Sequence, residues 1–150
     1  MPVRATHLGD HLMRTAKLLL QNRSRALTGQ AGIEPATYSL LFHLAGGAKR
    51  VSALAECVHN DVSTVSRQVA TLTAHGLAEK VADAADGRAQ VVVLTDAGRQ
   101  TLTDLRAARD AWLESMLHDW PEDDVRRFST YLERFSTALE DDRSPMKDSL

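Results

Sequence analysis

A run of small polar side chains surrounds one arginine within residues 61–73. Hydroxyl and amide groups both donate and accept hydrogen bonds, and an arginine adds a planar cation suited to phosphate or base edges. A helix face that meets only water usually carries more glutamate and lysine, so this composition favours close contact with another polar surface. The candidate contact residues are Ser63, Thr64, Ser66, Arg67, Gln68 and Thr71.

A second arginine, Arg88, follows the pair Asp86 and Gly87. Asp-Gly is a strong hairpin signal, and here it separates two runs with strand propensity, residues 77–82 and residues 90–95. Arg88 is therefore expected beside the tip of a hairpin. Asp86 can orient its guanidinium there, which lowers the entropy lost when the arginine binds an anion.

The first set of side chains is positioned by a predicted helix. Four apolar residues recur at helical spacing and share one face: Val62, Val65, Val69 and Leu72. Asp61 can cap the start of this helix, and Gly76 can end it in the left-handed conformation. A shorter helix is predicted before it at residues 53–59, with Ser52 as its cap.

Two helices followed by a hairpin, in this order, are typical of a winged helix-turn-helix unit. Such a unit places its second helix in the major groove of duplex DNA and its hairpin against the phosphates or the minor groove. Arg67 and Arg88 are the strongest candidates for DNA contact, although each could instead pair with a nearby aspartate. Gln68 could bind adenine at two points, but its angle places it on the flank of the helix.

The run from residue 54 to residue 99 resembles the winged helix-turn-helix core of the multiple-antibiotic-resistance regulator (MarR) family. The resemblance is carried, in order, by Ser63-Thr64-Val65-Ser66-Arg67, Asp86-Gly87-Arg88, Val91-Val92-Val93-Leu94-Thr95 and Gly98. It implies a dimeric DNA-binding transcription regulator that acts as a ligand-responsive repressor. Ala84 and Ala85 depart from the family, which often has a second arginine or a proline there, so this wing should bind DNA less tightly or depend more on Arg88.

The remaining pattern predicts a mainly α fold with six helices and a small β-wing. The other predicted helices lie at residues 7–28, at 36–45, at 96–118 and after Pro121. Pro35 and Pro121 should each occupy the first turn of a helix, and Glu34 is the cap residue before Pro35. Arg50 and Val51 could add a minimal strand to the wing. We expect one domain, with a DNA-binding lobe at 34–97, a dimerisation lobe from 7–30 and 98–140, and a flexible tail at 141–150.

The terminal helices carry long apolar seams that a monomer would leave open to water. In the family that these residues resemble, the terminal helices form the dimer interface, so a homodimer is expected. The predicted interface residues are Leu8, Leu12, Val125, Phe128, Leu132, Phe135 and Leu139. The last five follow the spacing of three and four residues that suits helix–helix packing.

The resemblance also implies an effector, a small aromatic or phenolic anion that binds between the two lobes and alters the spacing of the recognition helices. The candidate effector-binding residues are Arg14, Tyr38, Phe42 and Trp112. No cofactor is expected.

The amino-acid composition excludes some classes of protein but does not by itself select a function. The chain has 18 basic and 20 acidic residues and a net charge of −2. DNA binding must therefore depend on where charges lie and not on their sum. The single cysteine, the lack of a signal-peptide pattern and the lack of an apolar run of about 20 residues predict a cytoplasmic protein that does not enter a membrane.

Other chemistry finds little support in the sequence. There is no nucleophile elbow, no glycine-rich phosphate loop and no CxxC pair, so an enzyme is not expected. Cys57 is interpreted as a semi-buried packing residue. His7 and His11 are spaced for one helix face but make an incomplete zinc ligand set, so no metal site is predicted. Two alternatives stay open: a protein-interaction module that uses the winged fold without DNA, and a metal- or redox-sensing variant of the regulator.

Overall fold

The computed structural model describes residues 6–26 and 32–142. These residues form six α-helices and one two-stranded antiparallel sheet, which confirms the predicted fold class. The elements are α1 (Thr6–Ala26), α2 (Pro35–Leu44), α3 (Val51–Cys57), α4 (Val62–Ala74), β1 (Ala78–Ala82), β2 (Gln90–Leu94), α5 (Asp96–Leu117) and α6 (Glu122–Asp142). The end of α1 predicted at residues 27–28 and most of the predicted tail, residues 143–150, lie outside the described residues, whereas residues 141 and 142 are helical.

The chain divides into two compact units, one up to Trp112 and one from Leu113 onward. The first unit holds the hydrophobic core, to which α2, α3, α4, the hairpin and the first half of α5 contribute. The second unit includes α6, which has no buried residue. None of the described helices combines the length and apolarity needed to cross a lipid bilayer.

Helix α4 is held in the core by three fully buried side chains, Val65, Val69 and Leu72. Val62 has the angle around the helix that its spacing predicted, but it is 53% exposed. It is the first residue of the helix. Next to α4, Leu54 and Ala55 of α3 are buried, and Val58 directly after α3 packs against the core.

Both ends of α4 are closed as predicted. At the start, Asp61 Oδ1 accepts the Thr64 backbone N–H at 2.8 Å, and Oδ2 accepts the Thr64 hydroxyl at 2.7 Å. The Ser63 hydroxyl also donates to Asp61. At the other end Gly76 is left-handed, with φ +71°, and the Leu77 N–H donates to the Leu72 carbonyl at 2.9 Å.

The helix α3 begins two residues earlier than predicted. Ser52 lies inside it and Arg50 is the N-cap, with an extended backbone and no side-chain cap hydrogen bond. The reason lies in the residue before Arg50. Lys49 forms an antiparallel bridge with Val92, so the chain is extended up to this point and turns into the helix directly afterwards. The added strand predicted at Arg50 and Val51 is therefore a single bridge at Lys49.

The starts of the other predicted helices are borne out with small shifts. Pro35 opens α2 behind Glu34, as expected, and Glu34 makes no side-chain cap hydrogen bond. Thr95 caps α5, because its hydroxyl accepts the Gly98 N–H at 3.0 Å. Pro121 precedes α6 instead of occupying its first turn, and its carbonyl accepts the N–H groups of Asp124 and Val125.

A close backbone approach joins α5 to the start of the hairpin. The Thr95 N–H donates to the Leu77 carbonyl at 3.2 Å, and the Thr95 hydroxyl donates to the Gly76 carbonyl at 2.5 Å. A methyl group on Gly98 would lie only 1.9 Å from the Leu77 carbonyl oxygen. Only glycine allows the two backbones to come this close.

Replacement of Gly98 by alanine should therefore destabilise the fold. The added methyl group has to push α5 away from Leu77, and such overpacking costs about 1–3 kcal/mol of unfolding free energy. Urea unfolding followed by circular dichroism measures the loss. Gly46→Ala is the matched control, since nothing lies within 4 Å of its added methyl group. Equal midpoints for the two variants would contradict the close approach.

The cap on α4 predicts a dependence of stability on pH. Hydrogen bonds from Ser63 and Thr64 hold the pKa of the Asp61 carboxyl well below its ordinary value of 3.8. A carboxyl with a depressed folded-state pKa stabilises the fold above the ordinary value, and this contribution is lost as the pH falls through the folded-state pKa. Asp61→Asn keeps a cap acceptor but removes the titration. The difference in Tm between wild type and Asp61→Asn should stay constant above about pH 5 and shrink below about pH 4. A difference that grows in acid would contradict this.

Candidate nucleic-acid interface

The polar face of α4 lies opposite its buried stripe. Ser63 and Arg67 are exposed, and Thr64, Ser66, Gln68 and Thr71 are half-buried. The hydroxyl of Thr71 donates to the Arg67 carbonyl at 3.1 Å, and an Arg67 Nη atom lies 3.4 Å from the Thr64 hydroxyl.

Within the described chain, Arg67 has no carboxylate partner, which disfavours its interpretation as half of a surface ion pair.

Several of these residues line one groove of about 410 Å³ between the start of α2 and the outer face of α4. Its walls are formed by Gly32, Glu34, Thr37, Thr64, Arg67, Gln68 and Thr71. Sequence reasoning had treated Glu34 only as an unusual cap. Its carboxylate is the one acidic group among these lining residues, so the surface beside α4 presents both signs of charge.

The loop of the wing has the bounds that the sequence predicted. Residues 83–89 separate β1 from β2, and β1 pairs with β2 from Ala78 opposite Leu94 to Ala82 opposite Gln90. Gly87 is not left-handed, so Asp86 and Gly87 do not form a tight two-residue turn within this loop. The two wing aspartates hold the loop instead.

Each aspartate of the wing binds a backbone N–H two residues ahead. Asp83 Oδ1 accepts from Ala85 at 3.0 Å, and Asp86 Oδ1 accepts from Arg88 at 3.1 Å. These side-chain turns hold the loop in place of tight hairpin geometry. Asp86 therefore orients the backbone of Arg88, where the sequence had led us to expect it to orient the guanidinium.

The guanidinium of Arg88 is exposed at the wing. No other described residue forms a hydrogen bond or salt bridge with the Arg88 side chain. Arg67 on α4 and Arg88 on the wing are thus two cations whose charge is not already neutralised within the described chain. Such groups are suited to bind phosphate or base edges.

A third arginine, Arg50, was missed as a site residue by sequence reasoning. Its Nε and one Nη atom lie 3.1 and 2.7 Å from Asp83 Oδ2, and Asp86 Oδ2 is 3.9 Å away. This hydrogen bond lowers the pKa of the Asp83 carboxyl and raises that of Arg50. One sequence signal could have found it. The wing has two aspartates and one arginine, so one negative charge needs a partner from elsewhere in the chain. Arg50 was expected near the wing sheet and carries the opposite charge.

The predicted effector residues do not share one environment. Tyr38 is fully buried in the core, so its side chain is closed to a ligand in this conformation. Phe42 is partly buried against the same core, Trp112 is half-buried and Arg14 is exposed on α1. Binding of an effector by these four residues stays a prediction.

The sensor alternatives concern other side chains. Cys57 is exposed, so its interpretation as a semi-buried packing residue was wrong. It is the last residue of α3. His7 and His11 are exposed on α1. Across the part of the chain that the structure describes, no three histidine, cysteine, aspartate or glutamate side chains cluster closely enough to hold a metal ion.

Comparison with known proteins places this geometry in a family. The family model described as "MarR family" matches residues 31–89. The chain is 35% identical over 130 residues to the uncharacterized HTH-type transcriptional regulator YxaD of Bacillus subtilis, covering 86% of this chain and 88% of YxaD.

Solved structures show the same fold. A MarR family protein of Bacillus stearothermophilus matches with a TM-score of 0.77 and 20% identity over 90% of this chain and 94% of that one. CouR of Rhodococcus jostii RHA1, solved bound to p-coumaroyl-CoA, matches with a TM-score of 0.66 and 23% identity over 90% and 95% of the two chains. Together with the extent of the likeness to YxaD, these matches lead to one assignment: this chain belongs to the MarR family of winged helix DNA-binding transcription regulators.

Proposed function

We propose that this protein binds an inverted-repeat operator as a homodimer and represses transcription until a small ligand releases it. The observation that supports the DNA-binding part of this proposal is the presence of two cations, Arg67 and Arg88. One lies on the helix that a winged unit places in the major groove and the other lies on the wing. Neither guanidinium is neutralised by a carboxylate among the described residues.

The contact residues have different roles in this proposal. Arg67, with Gln68 and Thr71 on its flank, faces base edges. The hydroxyls of Ser63 and Thr64 already bind Asp61, so they present mainly their remaining lone pairs and the start of α4 to a phosphate. Ser66 adds a half-buried hydroxyl. Arg88 contacts the backbone or the minor groove, and Asp86 supports it through the backbone.

The homodimer is supported by apolar side chains that the chain leaves in water. On α6, Phe128, Leu132, Phe135 and Leu139 are each 39–51% exposed at a spacing of three and four residues, and Val125 is half-buried at the start of the series. On α1, Leu8 is 53% exposed and Leu12 is half-buried. A second copy would cover such seams. The two recognition helices would then reach successive major grooves about 34 Å apart.

The effector in this proposal is a small aromatic or phenolic anion. Its support is a relative of the same fold, CouR, whose structure was solved bound to p-coumaroyl-CoA. The ligand must bind more tightly to a dimer that cannot bind DNA than to one that can, and DNA must weaken ligand binding by the same factor. Repression fits this scheme because ligand binding then restores transcription.

Loss of the wing cation should weaken binding to DNA. Arg88→Ala is expected to cost about 1–3 kcal/mol of binding free energy and to flatten the salt dependence, because fewer phosphates are neutralised. Fluorescence anisotropy with the duplex upstream of the protein's own gene, at two salt concentrations, measures both. Arg126→Ala is the control, since Arg126 is an exposed arginine on α6 that pairs with Glu122 and Asp123. If neither that duplex nor selected genomic fragments bind wild type in a salt-sensitive way, a protein partner for the winged unit becomes the better explanation.

A charge placed on the α6 seam should separate the dimer. Leu132→Glu places a carboxylate in the apolar seam of the proposed interface, so monomers are favoured. Light scattering coupled to gel filtration should give twice 16.5 kDa for wild type and one copy for Leu132→Glu. Thr130→Glu carries the same charge on the opposite side of the helix and should stay dimeric. A wild-type protein that is monomeric at micromolar concentration would disprove the interface.

A further inference from the structure

The wing carries more negative than positive charge of its own. Residues 83–89 contain two carboxylates, Asp83 and Asp86, and one guanidinium, that of Arg88. A loop with a net charge of −1 would be repelled by the phosphates that it has to approach. The aspartates that hold this loop through their backbone hydrogen bonds therefore create an electrostatic problem for DNA binding.

The compensating charge comes from outside the wing, from Arg50 at the start of α3. Both of its contacting nitrogens reach the same oxygen of Asp83, and its guanidinium is also within 4 Å of Asp86. The backbone of Arg50 is held beside the wing because the neighbouring Lys49 is bridged to Val92 of β2. An arginine side chain has no hydrogen-bond acceptor and therefore cannot cap the N–H groups at the start of α3. At this N-cap position the side chain of Arg50 contacts the wing instead.

We infer that Arg50 is a positioning residue for DNA binding: it neutralises the wing carboxylates so that Arg88 can approach a phosphate without repulsion. This inference rests on the proposed DNA-binding function and adds to it a residue that lies outside both the recognition helix and the wing.

Neutralisation, and not mechanical support, is the role that the contacts favour. The backbone of the wing is held by four hydrogen bonds that do not involve Arg50, one of which is the Arg88 N–H donating to Asp86 Oδ1 at 3.1 Å. The Asp83 N–H donates to the Ala89 carbonyl at 2.9 Å, the Ala89 N–H donates to the Asp86 carbonyl at 2.9 Å, and the Ala85 N–H donates to Asp83 Oδ1 at 3.0 Å. The wing should keep its shape without Arg50 and lose only its charge balance.

Three variants separate neutralisation from other roles. Counting Asp83, Asp86, Arg50 and Arg88, wild type has a local charge of zero, Arg50→Ala has −1, Asp83→Asn has +1 and the double variant returns to zero. Asparagine keeps a side-chain oxygen that can accept the Ala85 N–H. Affinity for the operator duplex should therefore fall about tenfold in Arg50→Ala at low salt. It should be unchanged or higher in Asp83→Asn, and the double variant should return close to wild type.

The competing explanations give different orders of affinity in the same anisotropy assay. A mechanical clamp would make Arg50→Ala and Asp83→Asn equally weak. A direct contact between Arg50 and phosphate would leave the double variant as weak as Arg50→Ala. Either order overturns the inference, as does an Arg50→Ala variant that binds like the Arg126→Ala control.

A second readout does not require DNA. Amide hydrogen exchange at Asp83 and Ala89 should keep its wild-type rate in Arg50→Ala, and loss of this protection would show that Arg50 is a clamp. If the wild-type protein shows no salt-sensitive DNA binding at all, the proposed function is wrong, and the proposed role of Arg50 is wrong with it. The two failures are therefore distinguishable.

Discussion

The burial of one stripe of α4 is the constraint on which the candidate site depends. Because Val65, Val69 and Leu72 are buried in the core, the orientation of α4 about its own axis is fixed. Its opposite face therefore points outward. Arg67 is exposed for this reason. The Asp61 cap and the left-handed Gly76 fix where the helix starts and stops, and thereby fix which residues lie on the outer face.

The wing is held to this core through backbone contacts. Leu77, the residue after Gly76, donates to the end of α4, and its carbonyl accepts from Thr95 at the start of α5. Gly98 permits that approach. The Lys49 bridge attaches the other side of β2 to the start of α3. The hairpin therefore leaves the core in a defined direction, and Arg88 is carried on a supported loop.

Charge is balanced locally in this protein and not through its total. The net charge of −2 would not attract DNA by itself. What matters is that the described part of α4 and the wing each present a guanidinium without a carboxylate partner, while the wing acids are paired to Arg50. Binding that depends on a few placed charges should be strongly sensitive to single substitutions at them.

Much of the fold could be predicted from the sequence because its signals are local. Helical spacing of apolar residues, the Asp61 cap, Gly76 and the alternation of strands and turn residues each act within a few residues along the chain. The family resemblance added the expected function. Element boundaries were less certain, as at α3, because the Lys49 bridge to Val92 joins residues far apart in the sequence.

The sequence by itself determined the helix and hairpin order and the identity of the two candidate arginines, since periodicity and turn chemistry are properties of neighbouring residues. Only the tertiary structure decided that Val62 and Cys57 are exposed, that Tyr38 is closed in the core, and that Asp86 binds the backbone of Arg88 and not its guanidinium. It alone brought Arg50 to Asp83, 33 residues away along the chain. Burial and ion pairing depend on which distant segments the fold brings together, and no local pattern records that.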